Sequence, residues 1–349
     1  MAKTKTKKKK KKRPEERIGL MFLDSGAHSL YTKYVINQNP LGRRALDKRA
    51  KAELYKFYTS KEFFEYVDAY CNYVKENRAG IDYFVNVDAI FNPEITWDTQ
   101  QYIEKEHGLR PVPVVHHGTP YKWIARYIEA GHDFIGLGGL GQEVTTQQYY
   151  AWADEVYSEL CPASNDYKPI VRTHGFAMTA WKLLIRYPWW SVDSASWVKS
   201  GGFGMLYVPR QSRNRKGKLK FDFTKEPYSI SISATPPNPE KEENQLKLKQ
   251  ANAGAFWTKD RLSHPAVEGG KSFHTQPATV QRHILNWLEH VGIPLGSVDE
   301  AGQCVEKGVV SHHSSRKVAN LHFFHAMQQS LPEWPWPFRL QKPIRKGFF

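Results

Sequence analysis

At 349 residues, 40% hydrophobic and 13% aromatic, the chain can bury a full core, either as one large α/β unit or as two ordinary domains. No apolar run approaches the roughly 18 residues of a membrane span, and no apolar stretch follows the basic N-terminus as in a secretory leader, so a cytoplasmic protein is expected. A net charge of +15 favours polyanionic partners, while Cys71, Cys161 and Cys304 are too scattered for a disulfide framework.

From residue 18 to about 200, apolar β-rich runs alternate with stretches of helical spacing. IGLMFLDSG reads as a buried strand ending at Asp24, and the long stretch 31–50 after it as a loop bordering an active site. Phe63, Phe64, Val67, Tyr70, Cys71 and Val74 fall on one face of a helix over 61–78. DYFVNVDAI is a second strand ending at Asp88. Pro93 and Glu94 then open a helix reaching about His107. VPVVHHG, DFIGLGGLG, PIVRTHG and WWSVDSASW are the next strands, with helices over 120–130, 145–160 and 179–186 between them.

This repeat predicts a parallel sheet. Asp24, Asp88, His116, His117, Gly138, Gly139, His174 and Asp193 all stand just after an apolar strand core. Polar residues at successive strand ends converge on one mouth in a (β/α)8 barrel of TIM type, which is the expected fold. Beyond residue 200 the pattern is weaker. GFGMLYVPR and KLKFDF suit either later strands or a hairpin, 233–245 reads as a Pro-rich charged loop, and 240–255 and 283–292 read as helical. The expected organisation is a disordered lysine-rich arm over 1–17, a barrel over 18–300 with irregular last strands, and a helical or irregular extension over 301–349.

Charge is concentrated in two places. Residues 3–13 hold eight lysines and Arg13, and Arg210, Arg213, Arg215, Lys216, Lys218 and Lys220 form a second cluster without an acid among them. Both suit contact with phosphates through counterion release, although a solubilising tail and a solvated loop have the same composition. Facing carboxylates at a barrel mouth suit chemistry at a sugar anomeric carbon, one attacking and the other handling protons. Asp24 and Asp193 are the leading candidates, each followed by small residues that leave room for a ligand. Lone aspartates also cap helices or pair with arginine. GLGGLG at 136–141 lacks the spacing of a dinucleotide fingerprint and better serves close backbone approach to a planar ligand. His116, His117 and His174 can bond a base edge or line the site. His312, His313, His322 and His325 lie near Cys304, but ordinary surface or packing histidines account for them.

DSGAHS at 24–29, VNVDAIFNP at 85–93, VVHHG at 114–118, GLGGLG at 136–141 and SVDSASW at 191–197 stand in an order that resembles the tRNA-guanine transglycosylases over roughly residues 18–200. That family is a TIM barrel exchanging guanine for a 7-deazaguanine without breaking the polymer backbone. The resemblance implies that Asp193 is the nucleophile, Asp24 the general acid/base and Asp88 a base-binding residue. Gly138, Gly139 and Leu140 would line the base pocket, and His116 stands where the family has a glutamine. The family's zinc-binding CxCxxC element is missing, so no metal or other cofactor is expected. That loss and the SASW sequence after Asp193 resemble the divergent phage-type branch acting on DNA. The implied activity is insertion of a 7-deazaguanine derivative into DNA. The same exchange on tRNA, a barrel that only binds nucleic acid, and a carbohydrate hydrolase are the competing expectations.

Overall fold

A computed structural model describes residues 20–33, 48–90, 92–139, 144–178, 180–232, 273, 276–299 and 302–338. The lysine-rich arm, Leu140, most of the loop over 31–50 and the segment 240–255 lie outside these residues.

Six short parallel strands follow one another in space in chain order. β1 (Phe22–Leu23) pairs with β2 (Tyr83–Phe84), and a single parallel bridge, Val85 to Val112, leads on toward β3 (Val114–His116). From there β4 (Phe134–Gly138), β5 (Arg172–Gly175) and β6 (Ser191–Val192) continue the series. The intervening helices have sequence-encoded ends. Ser60 accepts a bond from the Phe63 amide to start α3 (Lys61–Glu76), preceded by α1 (Ala27–Tyr31) and α2 (Lys48–Tyr58). Asn92 caps α4 (Pro93–His107), Pro93 opens it, and Gly108 ends it in the left-handed region. α5 (Lys122–Glu129) follows β3, and a Thr145/Gln148 capping box starts α6 (Thr146–Leu160). α7 (Trp181–Arg186) joins β5 to β6, and α8 (Ser196–Gly202) follows Asp193.

Side chains of strands that are not hydrogen-bonded neighbours also meet. Phe22 on β1 stacks on His174 of β5 with ring centroids 4.3 Å apart. Nearby, the Arg172 guanidinium lies 5.1 to 5.5 Å from the ring centroids of Tyr83, Phe134 and Trp190. These contacts draw four of the strand positions around one interior.

The expected eight-strand closure is not seen among the described residues, which form a mixed α/β fold with parallel sheet. After α8 the chain leaves the parallel series. β7 (Met205–Val208) pairs antiparallel with β10 (Tyr228–Ser231), and between them β8 (Arg210–Arg213) and β9 (Leu219–Asp222) form a hairpin. The local sequence gives the reason: no helix-length apolar pattern separates these strands, and Asn214 instead builds a tight turn. Its side chain accepts from the amides of Lys216 and Lys218, with Gly217 at φ 75°.

The larger core lies between β3–β7 and the helices outside them, including α9 (Ala278–Val291) and α10 (His313–Ser330). A small antiparallel pair, β11 (Ser297–Val298) with β12 (Cys304–Glu306), separates these two helices. A second core joins α2, α3 and α4 to Val87 and Ala89. α10 is fastened through buried polar groups. Arg316 donates to the Gly201 and Val309 carbonyls, and Asn320 accepts from the Tyr207 amide while donating to Met205. Beyond Ser330 the chain has no helix or strand up to Phe338, whose ring packs on Tyr157 and Tyr187.

Candidate active site

Polar residues gather within or just past the C-terminal ends of the parallel strands. Asp24 leaves β1 and Asp88 follows β2. His116 ends β3, Gly138 ends β4, His174 lies within β5, and Asp193 follows β6.

Asp88 is 5% exposed, and His116 Nε2 lies 2.6 Å from its Oδ2. Asp24 opens to solvent on one side, but its carboxyl is held above its usual pKa. Loss of water around it is the chief cause. The amides of Ser25 and Gly26 pull the other way, and the negative charges of Asp88 and Asp193 push further upward. Asp193 moves in the opposite direction. Partial burial would raise it, but His174 and the Ala177 amide outweigh that and lower its pKa. The Ala177 N–H donates to Asp193 Oδ1 at 2.8 Å, and His174 Nε2 stands 3.7 Å from the same oxygen. The three aspartates therefore share one electrostatic neighbourhood.

The surrounding backbone is shaped for this. Ala177 adopts φ 55°, a conformation few side chains tolerate, to aim its amide at Asp193. Tyr66 donates to the Ser25 carbonyl at 2.7 Å and holds the turn after Asp24, where Gly26 takes φ 75°. A Cβ at Gly136 would lie 2.4 Å from the Phe176 ring, so glycine there admits that ring beneath the site. A Cβ at Gly138 would come 3.3 Å from His116 Nδ1, placing that backbone beside the Asp88–His116 pair.

Asp24, Asp88, His116, Gly138, His174 and Asp193 are thus brought together. His117 is not: its Nε2 donates to the Gln148 carbonyl at 3.3 Å and its ring stacks on Tyr149. Gly139, at φ 96°, packs against the His117 backbone, so its role is to make that turn. On the hairpin, Arg215, Lys216 and Lys218 are exposed at the tip, with Lys220 exposed on β9. Arg213 donates to Gly217 within the same turn. Arg210 lies 3.8 Å from the Tyr228 ring centroid and donates to the Glu226 carbonyl, which makes it part of the hairpin base.

Sequence reasoning missed Ala177, Ser191, Phe22, Phe176 and Tyr66. Nothing in HGFAM announces a left-handed alanine. Phe22 and Phe176, however, flank predicted strand ends and had a signal in their position. Among the described residues, no group of three or more His, Cys, Asp or Glu side chains is placed to hold a metal ion. His312 and His313 stack on each other, and His325 meets Gln329. No described helix is long and apolar enough to cross a membrane.

Fold and site together define an α/β chain whose parallel strands deliver three carboxylates and two histidines to one electrostatic neighbourhood. Comparison of the chain with protein-family models, with curated proteins and with solved structures finds no match.

Proposed function

We propose that this chain is a base-exchange pentosyltransferase that replaces guanine in DNA with a 7-deazaguanine derivative, and that its parallel strands belong to an irregular TIM-type barrel. One observation carries the reading. Two neighbouring carboxyls are pushed apart in acidity, Asp193 toward the ionised form and Asp24 toward the protonated one. An ionised carboxylate is what a nucleophile needs, and a carboxyl with a raised pKa is suited to carrying a proton.

The chemistry follows in two halves. Guanine is turned out of the stack at a cost of roughly a few kcal/mol. Asp193 Oδ2 bonds the anomeric carbon as the bond from that carbon to guanine N9 breaks, and Asp24 gives its proton to the departing base. In the second half Asp24 takes the N9 proton of the incoming 7-deazaguanine, the new carbon–nitrogen bond forms, and the pair in the Oδ2–carbon bond returns to Asp193. Asp88 and the Gly138 backbone hold the base. Since His116 Nε2 already engages Asp88, His116 sets the orientation of that carboxylate. The exposed basic hairpin tip suits contact with phosphates. None of these steps calls for a bound cofactor.

Incubation of the full chain with labelled guanine and duplex DNA tests the reading. Label enters DNA with the wild type, while Asp193→Ala abolishes exchange and retains polymer binding. Exchange retained in that variant would sink the assignment. The same assay with tRNA in place of DNA separates the two polymers. A covalent protein–polymer adduct would exclude a barrel that merely binds.

A further inference from the structure

His174 is 4% exposed. Its ring lies flat on Phe22, with centroids 4.3 Å apart, and Phe176 meets it edge-on at 4.6 Å. Nδ1 lies 2.8 Å from Ser191 Oγ. Its other nitrogen, Nε2, is buried without a hydrogen-bond partner, 3.7 Å from Asp193 Oδ1. An unpartnered buried ring nitrogen is destabilising, and structures rarely keep one without a use. A movement of about 0.9 Å brings the gap down to ordinary hydrogen-bond length. Asp24 and Asp88 are electrostatically coupled beside Asp193, with His116 bound to Asp88, and Arg172 lies two residues before His174 on the same face of β5 with its guanidinium over Tyr83 and Phe134.

We propose that His174 is a positioning residue for Asp193: Ser191 donates to Nδ1, the ring keeps its proton on Nε2, and that N–H closes on Oδ1, leaving Oδ2 to bond the sugar. The proposal rests on the reading of Asp193 as nucleophile. Oδ1 then has two donors, the Ala177 amide and His174. In the covalent intermediate Oδ1 is the ester carbonyl oxygen. When the incoming base displaces the aspartyl group, the returning electron pair makes it a carboxylate oxygen again. A donor already in place favours that carboxylate and speeds the second half of the exchange.

The experiment begins with a readout independent of activity. Nitrogen NMR of the wild-type chain with labelled histidine is expected to show His174 protonated on Nε2 and bare on Nδ1. The opposite tautomer would overturn the proposal. Carbon NMR of labelled aspartate carboxyls then follows Asp193 through an acid titration. In His174→Asn the amide stays near Ser191 and does not reach Oδ1, so the Asp193 midpoint should rise by about half a pH unit or more. His174→Gln, whose amide replaces Nε2, should restore it. Equal midpoints in all three proteins, with Asp24 unchanged, would refute the role. In the exchange assay His174→Asn should accumulate the covalent adduct while turnover falls. If the wild type shows no exchange but the NMR results hold, base exchange fails and the His174–Asp193 coupling stands.

Discussion

Asp24 is costly to the folded chain in its ionised form. Its pKa is raised on folding by loss of water and by the charges of Asp88 and Asp193. Such a group favours the fold fully below its unfolded pKa of about 4, and this contribution is lost as pH rises through the higher folded value. Asp24→Asn should therefore melt higher than the wild type at pH 7, and the difference should close as pH falls below about 4. Thermal melts of both proteins across that range check it. Ala177 is the second strained point, at φ 55°. Ala177→Gly keeps the amide that serves Asp193 and relieves the strain, so it should gain about 1 kcal/mol in urea unfolding without loss of exchange. The acids were legible in the sequence because each follows an apolar run. Ala177 and Ser191 were not, since their contribution comes from backbone conformation and a partner on another strand.

At the level of elements, α3, α4 and α6 were readable because their ends are written in side chains: Ser60, Asn92 with Pro93, and the Thr145/Gln148 pair. The short helices α1 and α8, which carry no side-chain cap, were missed, whereas α5 and α7 were read from their apolar spacing although they lack one too. α8 is held instead by a distant element. A Cβ at Gly201 would lie 2.8 Å from the Lys317 amide nitrogen, and Arg316 reaches across to the Gly201 carbonyl. Burial lowers the pKa of Arg316, and its guanidinium donates to the carbonyl oxygens of Gly201, Val309 and Val310. Arg316→Ala leaves those carbonyls bare and should cost about 2–4 kcal/mol in chemical unfolding. The basic hairpin is a separate case. Replacing Arg215, Lys216, Lys218 and Lys220 by alanine should leave stability nearly unchanged. If all four meet phosphates, binding of duplex DNA should lose about 3 to 4 from the slope of log affinity against log salt.

For the whole molecule, the repeat of strands and helices was enough to predict parallel pairing in chain order, but it could not say where the series stops. The residues that end it, from Met205 onward, have strand-like composition in either topology. What decides is pairing with a segment that comes later in the chain, as β7 does with β10. The C-terminal end contributes to the same core. Phe338 is 3% exposed against Tyr157 and Tyr187, and Trp334 donates to the Pro188 carbonyl. Phe338→Ala should cost about 3–5 kcal/mol, measured by calorimetry or denaturant titration.

Asp24 and Asp193 belong to the first and last strands of the parallel series, and among the described residues no ladder joins β6 back to β1. Across that seam the tie is made by rings, Phe22 against His174 and Phe176. The spacing of the two acids is therefore set by soft packing, while the strands on either side are fixed by hydrogen bonds. Hydrostatic pressure acts on imperfectly filled packing before it breaks strand pairing. The proposed base exchange should accordingly fail at pressures that leave the far-ultraviolet dichroism intact and should return on release, making the spacing of these two acids a more sensitive gauge of the fold than the secondary structure around them.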